Sequence, residues 1–198
     1  MRQHLYGSPH LVAPAGGERG PAMTDTVHGT VAIEYRHFCV TEGGPGTEAA
    51  DFRSERPVIL SHGRITVTTR VQEQRAPVTV RVVRRHTPPE GWAHLGTVTY
   101  RPVHRGVVTV CDTMNGPAMD DLRIDPATVY GVHVYAKGRA DSRERFDACL
   151  DRGEYGVRDG FEEYLIVFVP SGSQEPPEIR EERRMVVDDR GRRPANLR

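Results

Sequence analysis

Residues 64–84 read RITVTTRVQEQRAPVTVRVVR, and their side-chain pattern decides the fold class. Ile65, Val67, Thr69 and Val71 fall on one side of an extended chain, and Arg64, Thr66, Thr68, Arg70 and Gln72 on the other. Successive side chains of a strand point to opposite faces, so this period of two marks a strand with one buried face. The polar segment 72–77, QEQRAP, interrupts it. Val78, Val80 and Val82 then resume the apolar face, with Thr79 and Arg81 opposite. Two alternating runs joined by a short polar segment predict a hairpin.

The same period recurs on both sides of this stretch. Residues 27–41 carry Val31, Ile33 and Tyr35 in one phase and Phe38 and Val40 in the other. The change near Arg36 and His37 predicts a bulge, or a strand that passes between two sheets. The run GGPG at 43–46 is a loop. Residues 57–60, opening on Pro57, fit a short edge strand. Downstream, 92–100 and 105–111 predict a second hairpin, with 107–111 apolar enough to be covered on both faces. Met119, Leu122 and Ile124 mark a short strand or turn before Asp125-Pro126. Residues 130–137 set Val132, Val134 and Ala136 against His133 and Tyr135.

Residues 141–150 are the one predicted helix. Asp141 or Ser142 can cap it, Phe146, Cys149 and Leu150 form one apolar stripe, and Gly153 follows its end. The run EEYLIVFV at 162–169 reads as a central strand that Pro170 ends. About eight short strands and one short helix predict an all-β antiparallel β-sandwich. A β-barrel is the alternative, because periodicity does not separate the two.

The 198 residues suit one domain with tails. Residues 1–23 are expected as a disordered extension, 24–170 as the sandwich and 171–198 as a charged disordered tail; Met23 is an alternative translation start. Hydrophobic residues make up 37%, below the ~45–50% of average domains, as a modest core with polar ends would give. Lys+Arg and Asp+Glu both number 27, so net charge makes no case for nucleic acid or an anionic membrane. The three cysteines, Cys39, Cys111 and Cys149, lack CxxC spacing. They argue against a disulfide framework or zinc cage, and Cys39 and Cys111 read as small apolar strand residues in a reducing cytoplasm. No apolar run reaches the roughly 18 residues of a membrane span, and no secretory signal is evident.

Motifs for chemistry are missing from the chain. None of the nine histidines falls in HxH or HExxH spacing, and the ligand patterns of zinc sites fail. His133, in mid-strand beside Tyr135, reads as a hydrogen-bonded structural residue. Asp120, Asp121 and Asp125 lack the EF-hand calcium pattern. Cys39 and His37 share a strand face without a catalytic arrangement. There is no Gly-x-Ser-x-Gly, and GGPG lacks the Lys-Ser/Thr of a phosphate loop. No catalytic, cofactor or metal site is therefore predicted. Charge is nonetheless uneven: 53–105 is net basic and 112–163 net acidic, so a fold that separates them would carry two steering surfaces.

The order of these segments resembles the competence protein J family, inhibitors of a DNA-entry nuclease. The resemblance runs through IEYRHFCV at 33–40, the stretch 64–83, GVVTVC at 106–111, the segment 125–135 with its Asp125-Pro126 turn, and 163–169. It spans 28–170, and the helix at 141–150 looks like an insertion. It implies a β-sandwich without catalytic residues or cofactor that binds a protein, a nuclease or toxin, without membrane or direct nucleic-acid contact. The partner-binding residues expected on that view are Asp120, Asp121, Asp125, Glu144, Asp147 and Asp151. Their carboxylates would take the place of phosphates on a basic nuclease, giving fast, salt-sensitive association. A carbohydrate- or ligand-binding sandwich using Trp92, Tyr100 and Tyr135 as stacking surfaces is the alternative, and an enzyme built on Cys39, His37 or His133 the third.

Overall fold

A computed structural model describes residues 26–43, 56–112, 114 and 116–177. Ten strands form two five-stranded sheets. The strands are β1 (Thr26–Ile33), β2 (His37–Thr41), β3 (Val58–Ser61), β4 (Arg64–Thr68), β5 (Gln74–Val82), β6 (Ala93–Tyr100), β7 (Val107–Cys111), β8 (Leu122–Arg123), β9 (Thr128–Lys137) and β10 (Glu163–Ser173). The helix α1 (Ser142–Asp151) lies between β9 and β10 in the chain. The first sheet runs β1-β5-β10-β9-β6 and the second β3-β4-β2-β7-β8. This is the all-β sandwich, not the barrel.

Both expected hairpins are corrected. β4 pairs with β2 and β3 in the second sheet, whereas β5 lies between β1 and β10 in the first. Likewise β6 pairs with β9, and β7 with β2 and β8. Each of these connections crosses from one sheet to the other. Alternation was satisfied because each strand still turns one face to the shared interior. The phase change at 36–37 does mark a chain passing between sheets, from β1 to β2. β10 is central as expected, but it is parallel to β5 and antiparallel to β9. It also continues past Pro170, pairing through a bulge to Ser173.

The interior is filled from both sheets by Val31, Ile33, Phe38, Val40, Ile65, Val67, Val78, Val80, Val132, Val134, Ile166 and Phe168, among others. Each such side chain contributes about 1.5–3 kcal/mol by leaving water. Tyr100 and Tyr130 set their rings edge-on to Phe168, at 5.6 and 5.8 Å between centroids. Val71 departs from the phase of Ile65 and Val67. It joins Phe146 and Phe161 in a small second cluster beneath α1. A helix of ten residues is marginal alone, and this cluster holds it to the sandwich. Gly153, at φ 71°, ends it in the left-handed conformation that glycine adopts without steric cost.

Candidate functional site

Three connections meet at one end of the sandwich. They are the β1–β2 turn, the β4–β5 connection, and the path from β9 through α1 to β10. The Arg75 amide donates to the Arg158 carbonyl at 2.7 Å, and the Arg36 amide to the Gln72 carbonyl at 3.3 Å. The Glu162 amide donates to the Gln74 side chain at 3.0 Å. α1 sits on this end with Ser142 and Phe146 buried. Its opposite face carries Glu144, Asp147 and Asp151, spaced i, i+3, i+7, which puts them on one stripe. Glu144 and Asp151 are exposed. Asp147 is half-buried and accepts from Arg143 at 2.9 Å.

The other three expected carboxylates lie elsewhere. Asp125 precedes β9, and its carboxylate accepts from the Ala127 amide at 2.9 Å and the Thr128 hydroxyl at 2.8 Å, shaping its own turn. Asp121 accepts from the Thr109 hydroxyl on the β7–β8 edge, with exposed Asp120 beside it. α1 follows the far end of the ten-residue β9, so Asp125 is roughly 30 Å from the helix stripe. The six residues thus form two separate groups.

A buried carboxylate fixes α1 in place. Glu162 is 2% exposed. It accepts from the Ser142 hydroxyl at 2.7 Å, the Arg70 amide at 3.0 Å, Arg139 at 3.3 Å and the Tyr164 hydroxyl. Arg139 also donates to the Thr68 carbonyl at 2.8 Å. Burial, and then the Glu162 charge, hold the Tyr164 phenol well above its ordinary range. Ser142 therefore works from inside the helix, and the expected cap Asp141 makes no capping bond. Instead Asp141 pairs with Arg145 at 3.3 Å. Arg145 donates further to the Gly138, Gly160 and Phe161 carbonyls at 2.9, 2.9 and 2.6 Å. At the far end Glu42 does similar structural work, accepting from the amides of Val103, His104 and Gly106 and from the Tyr100 hydroxyl.

Two aromatic side chains stand out at the α1 end. Tyr35 is 67% exposed and Tyr155 77%. Alternation had placed Tyr35 inward with Val31 and Ile33. Tyr35 and Arg36 instead adopt φ 57° and 66°, and this tight turn breaks the strand before Tyr35 can face the interior. Left-handed backbone at two adjacent non-glycine residues costs about 1–2 kcal/mol each. Nothing in the sequence pattern marks Tyr155. An open groove of about 640 Å³ runs between α1 and 154–161, lined by Arg145, Cys149, Arg152, Glu154 and Phe161 among others. Its arginines are engaged: Arg152 and Arg158 bind Glu154 at 3.1 and 2.8 Å.

The outer face of the first sheet holds the remaining titratable cluster. His86 meets the Tyr135 hydroxyl at 2.7 Å, and Thr97 meets both His133 and His94 at 3.0 Å. The His86 and His133 rings are 4.8 Å apart. Burial lowers the pKa of both, helped at His86 by His133, Arg81 and His94 and at His133 by His94. Burial also raises the Tyr135 phenol. The hydrogen bond expected of His133 is present, to the Thr97 hydroxyl. The stacking surface expected of Tyr100 and Tyr135 is corrected: they are 0% and 2% exposed, and Trp92 packs against Tyr135, Leu165 and Val167. Among the described residues no set of three or more His, Cys, Asp or Glu converges on a metal position, and no helix is long and apolar enough to cross a membrane.

No protein-family model matches the chain, and no curated protein does. Two solved structures are similar to it in fold. One is the crystal structure of ComJ, inhibitor of the DNA degrading activity of NucA, from Bacillus subtilis, at 15% identity and a TM-score of 0.48, covering 73% of this chain and 95% of that one. The other is the crocagin biosynthetic gene J product, at 11% identity and a TM-score of 0.45, covering 74% of this chain and 97% of that one.

Proposed function

We propose that this chain is a non-enzymatic protein-binding sandwich that inhibits a nuclease or toxin through the end that carries α1. The observation that carries this is the stripe Glu144, Asp147 and Asp151, turned outward on a helix whose other face is anchored in the domain. Its carboxylates step along the axis by about 4.5 and 6 Å, from the 1.5 Å rise per residue. That is the scale on which a nucleic-acid strand presents charge, one phosphate per ~3.4 Å of rise. A basic nuclease surface would accept the stripe in place of substrate. Exposed Tyr35 and Tyr155 at the same end supply the aromatic area on which interfaces concentrate their binding energy. Asp125, roughly 30 Å away along β9, falls outside a standard patch centred on α1, which covers about 800 Å² per partner.

The test is inhibition of fractionated nuclease activity from cells of the source organism, with plasmid DNA as substrate. The wild-type chain should inhibit one basic nuclease, more strongly at low salt. Glu144→Lys/Asp147→Lys/Asp151→Lys should lose that inhibition by at least tenfold, while Asp120→Lys/Asp121→Lys should keep it. Equal inhibition by the α1 variant, or none by the wild type in any fraction, would sink the proposal.

A further inference from the structure

Two thiols far apart in the chain meet on the second sheet. Cys39 of β2 lies directly opposite Cys111 of β7 in the antiparallel register. Both are free, and they are 3% and 6% exposed. Their neighbours Phe38, Val40, Val108 and Val110 fill the interior, so both thiols point to the outer side of the sheet. The Ala118 amide donates to the Val110 carbonyl at 2.9 Å, and the Asp112 amide to the Gly116 carbonyl at 3.0 Å. The backbone of Val110 and Asp112 thus faces away from β2, and that of Cys111 faces it. This makes Cys39 and Cys111 a hydrogen-bonded pair, with a Cα separation of about 5.5 Å. A disulfide spans Cα separations of ~4.4–6.8 Å.

The electrostatics favour reaction at one of the two. The hydrogen bond between the thiols, then Arg64 of β4, hold Cys111 below the ordinary thiol range, against the opposing effects of burial, Asp112 and Asp121. The same hydrogen bond, then burial, push Cys39 up.

We propose that Cys39 and Cys111 are a peroxide-responsive dithiol that closes to a cross-strand disulfide between β2 and β7. The Cys111 thiolate attacks one peroxide oxygen, the O–O bond breaks, and hydroxide leaves. Cys111 is then a sulfenic acid. The Cys39 sulfur displaces its hydroxyl, forming the S–S bond, and the Cys39 proton leaves in the released water. The hydroxide takes up the proton first lost from Cys111. Two thiols are oxidised by two electrons and one peroxide is reduced to two waters. Burial admits a small oxidant and turns away a bulky disulfide. Side chains diverge at hydrogen-bonded positions, so closure strains the bond and leaves it readily reduced.

The test uses the full chain carrying Cys149→Ser, folded and treated with hydrogen peroxide or with oxidised glutathione. Peroxide should remove two hydrogens by intact mass and give one non-reduced peptide joining Cys39 to Cys111, and dithiothreitol should reverse it. Oxidised glutathione should react much more slowly. In a chain that also carries Cys39→Ser, a sulfenic-acid probe should label Cys111. Oxygen addition without the joined peptide, joining only after unfolding in urea, or no sulfenic label on Cys111 would overturn the proposal.

Discussion

Replacing Glu162 by Gln tests the anchoring of α1 most directly. The amide oxygen can stay with the Arg70 amide and the Ser142 hydroxyl, which share one carboxylate oxygen. Its NH2 then faces Arg139 and the Tyr164 hydroxyl, both now donors to the other oxygen. One is a cation that the amide cannot satisfy. Hydrogen bonds to charged groups contribute about 1.5–3 kcal/mol, and removing one partner of a buried ion pair costs about 3–5 kcal/mol. The Arg139 side chain is 16% exposed and Glu162 0%, and Arg139 keeps its bond to the Thr68 carbonyl. The lower figure applies, about 3 kcal/mol. With a urea slope of about 1.5–2 kcal/mol/M for a domain of this size, the midpoint should fall by roughly 1.5–2 M. Arg139→Met on top of Glu162→Gln should cost less than the two single losses together, with a coupling of about 1 kcal/mol or more. Equilibrium urea unfolding read by tryptophan fluorescence measures all four corners of the cycle. A Glu162→Gln loss below about 1 kcal/mol, or strict additivity, would refute the view that this carboxylate holds α1 to the sandwich.

Two further outcomes are expected. His86 and His133 have folded pKa values lowered below that of the unfolded chain. The unfolded state therefore takes up more protons as pH falls through about 6.5, and stability should decline from pH 7 toward pH 5. His86→Gln/His133→Gln should flatten that decline in urea midpoints measured across the range, although Arg81 and His94, which face His86, remain; an unchanged slope would contradict it. Tyr35→Asn/Arg36→Gly should raise stability by about 1 kcal/mol by relieving two left-handed residues, even after losing the Arg36 bond to the Thr69 carbonyl. The same variant should weaken inhibition, so thermal unfolding and the nuclease assay should move in opposite directions.

Much of this protein was legible in residue order. Period-two runs are a local property, and they located β4, β5 and β9 and the inward residues Val132, Val134 and Ala136, while a continuous apolar run located β10. The helix was legible because Phe146, Cys149 and Leu150 recur at helical spacing and Gly153 stops it. Tyr35 was misplaced because a tight turn inverts the phase within one residue. The hairpins were misassigned for a related reason. A strand with one apolar face satisfies the same pattern whether its successor pairs beside it or crosses to the facing sheet.

By itself, then, the amino-acid order determined which segments extend, which side chains within the strands turn inward, and that one short helix interrupts them, since these follow from contacts between near neighbours. Which strands pair is a matter of contacts between distant segments, and only the tertiary structure decided it. That pairing put Asp121 beside Thr109 on the β7–β8 edge, closed four donors around Glu162, and set Cys39 against Cys111.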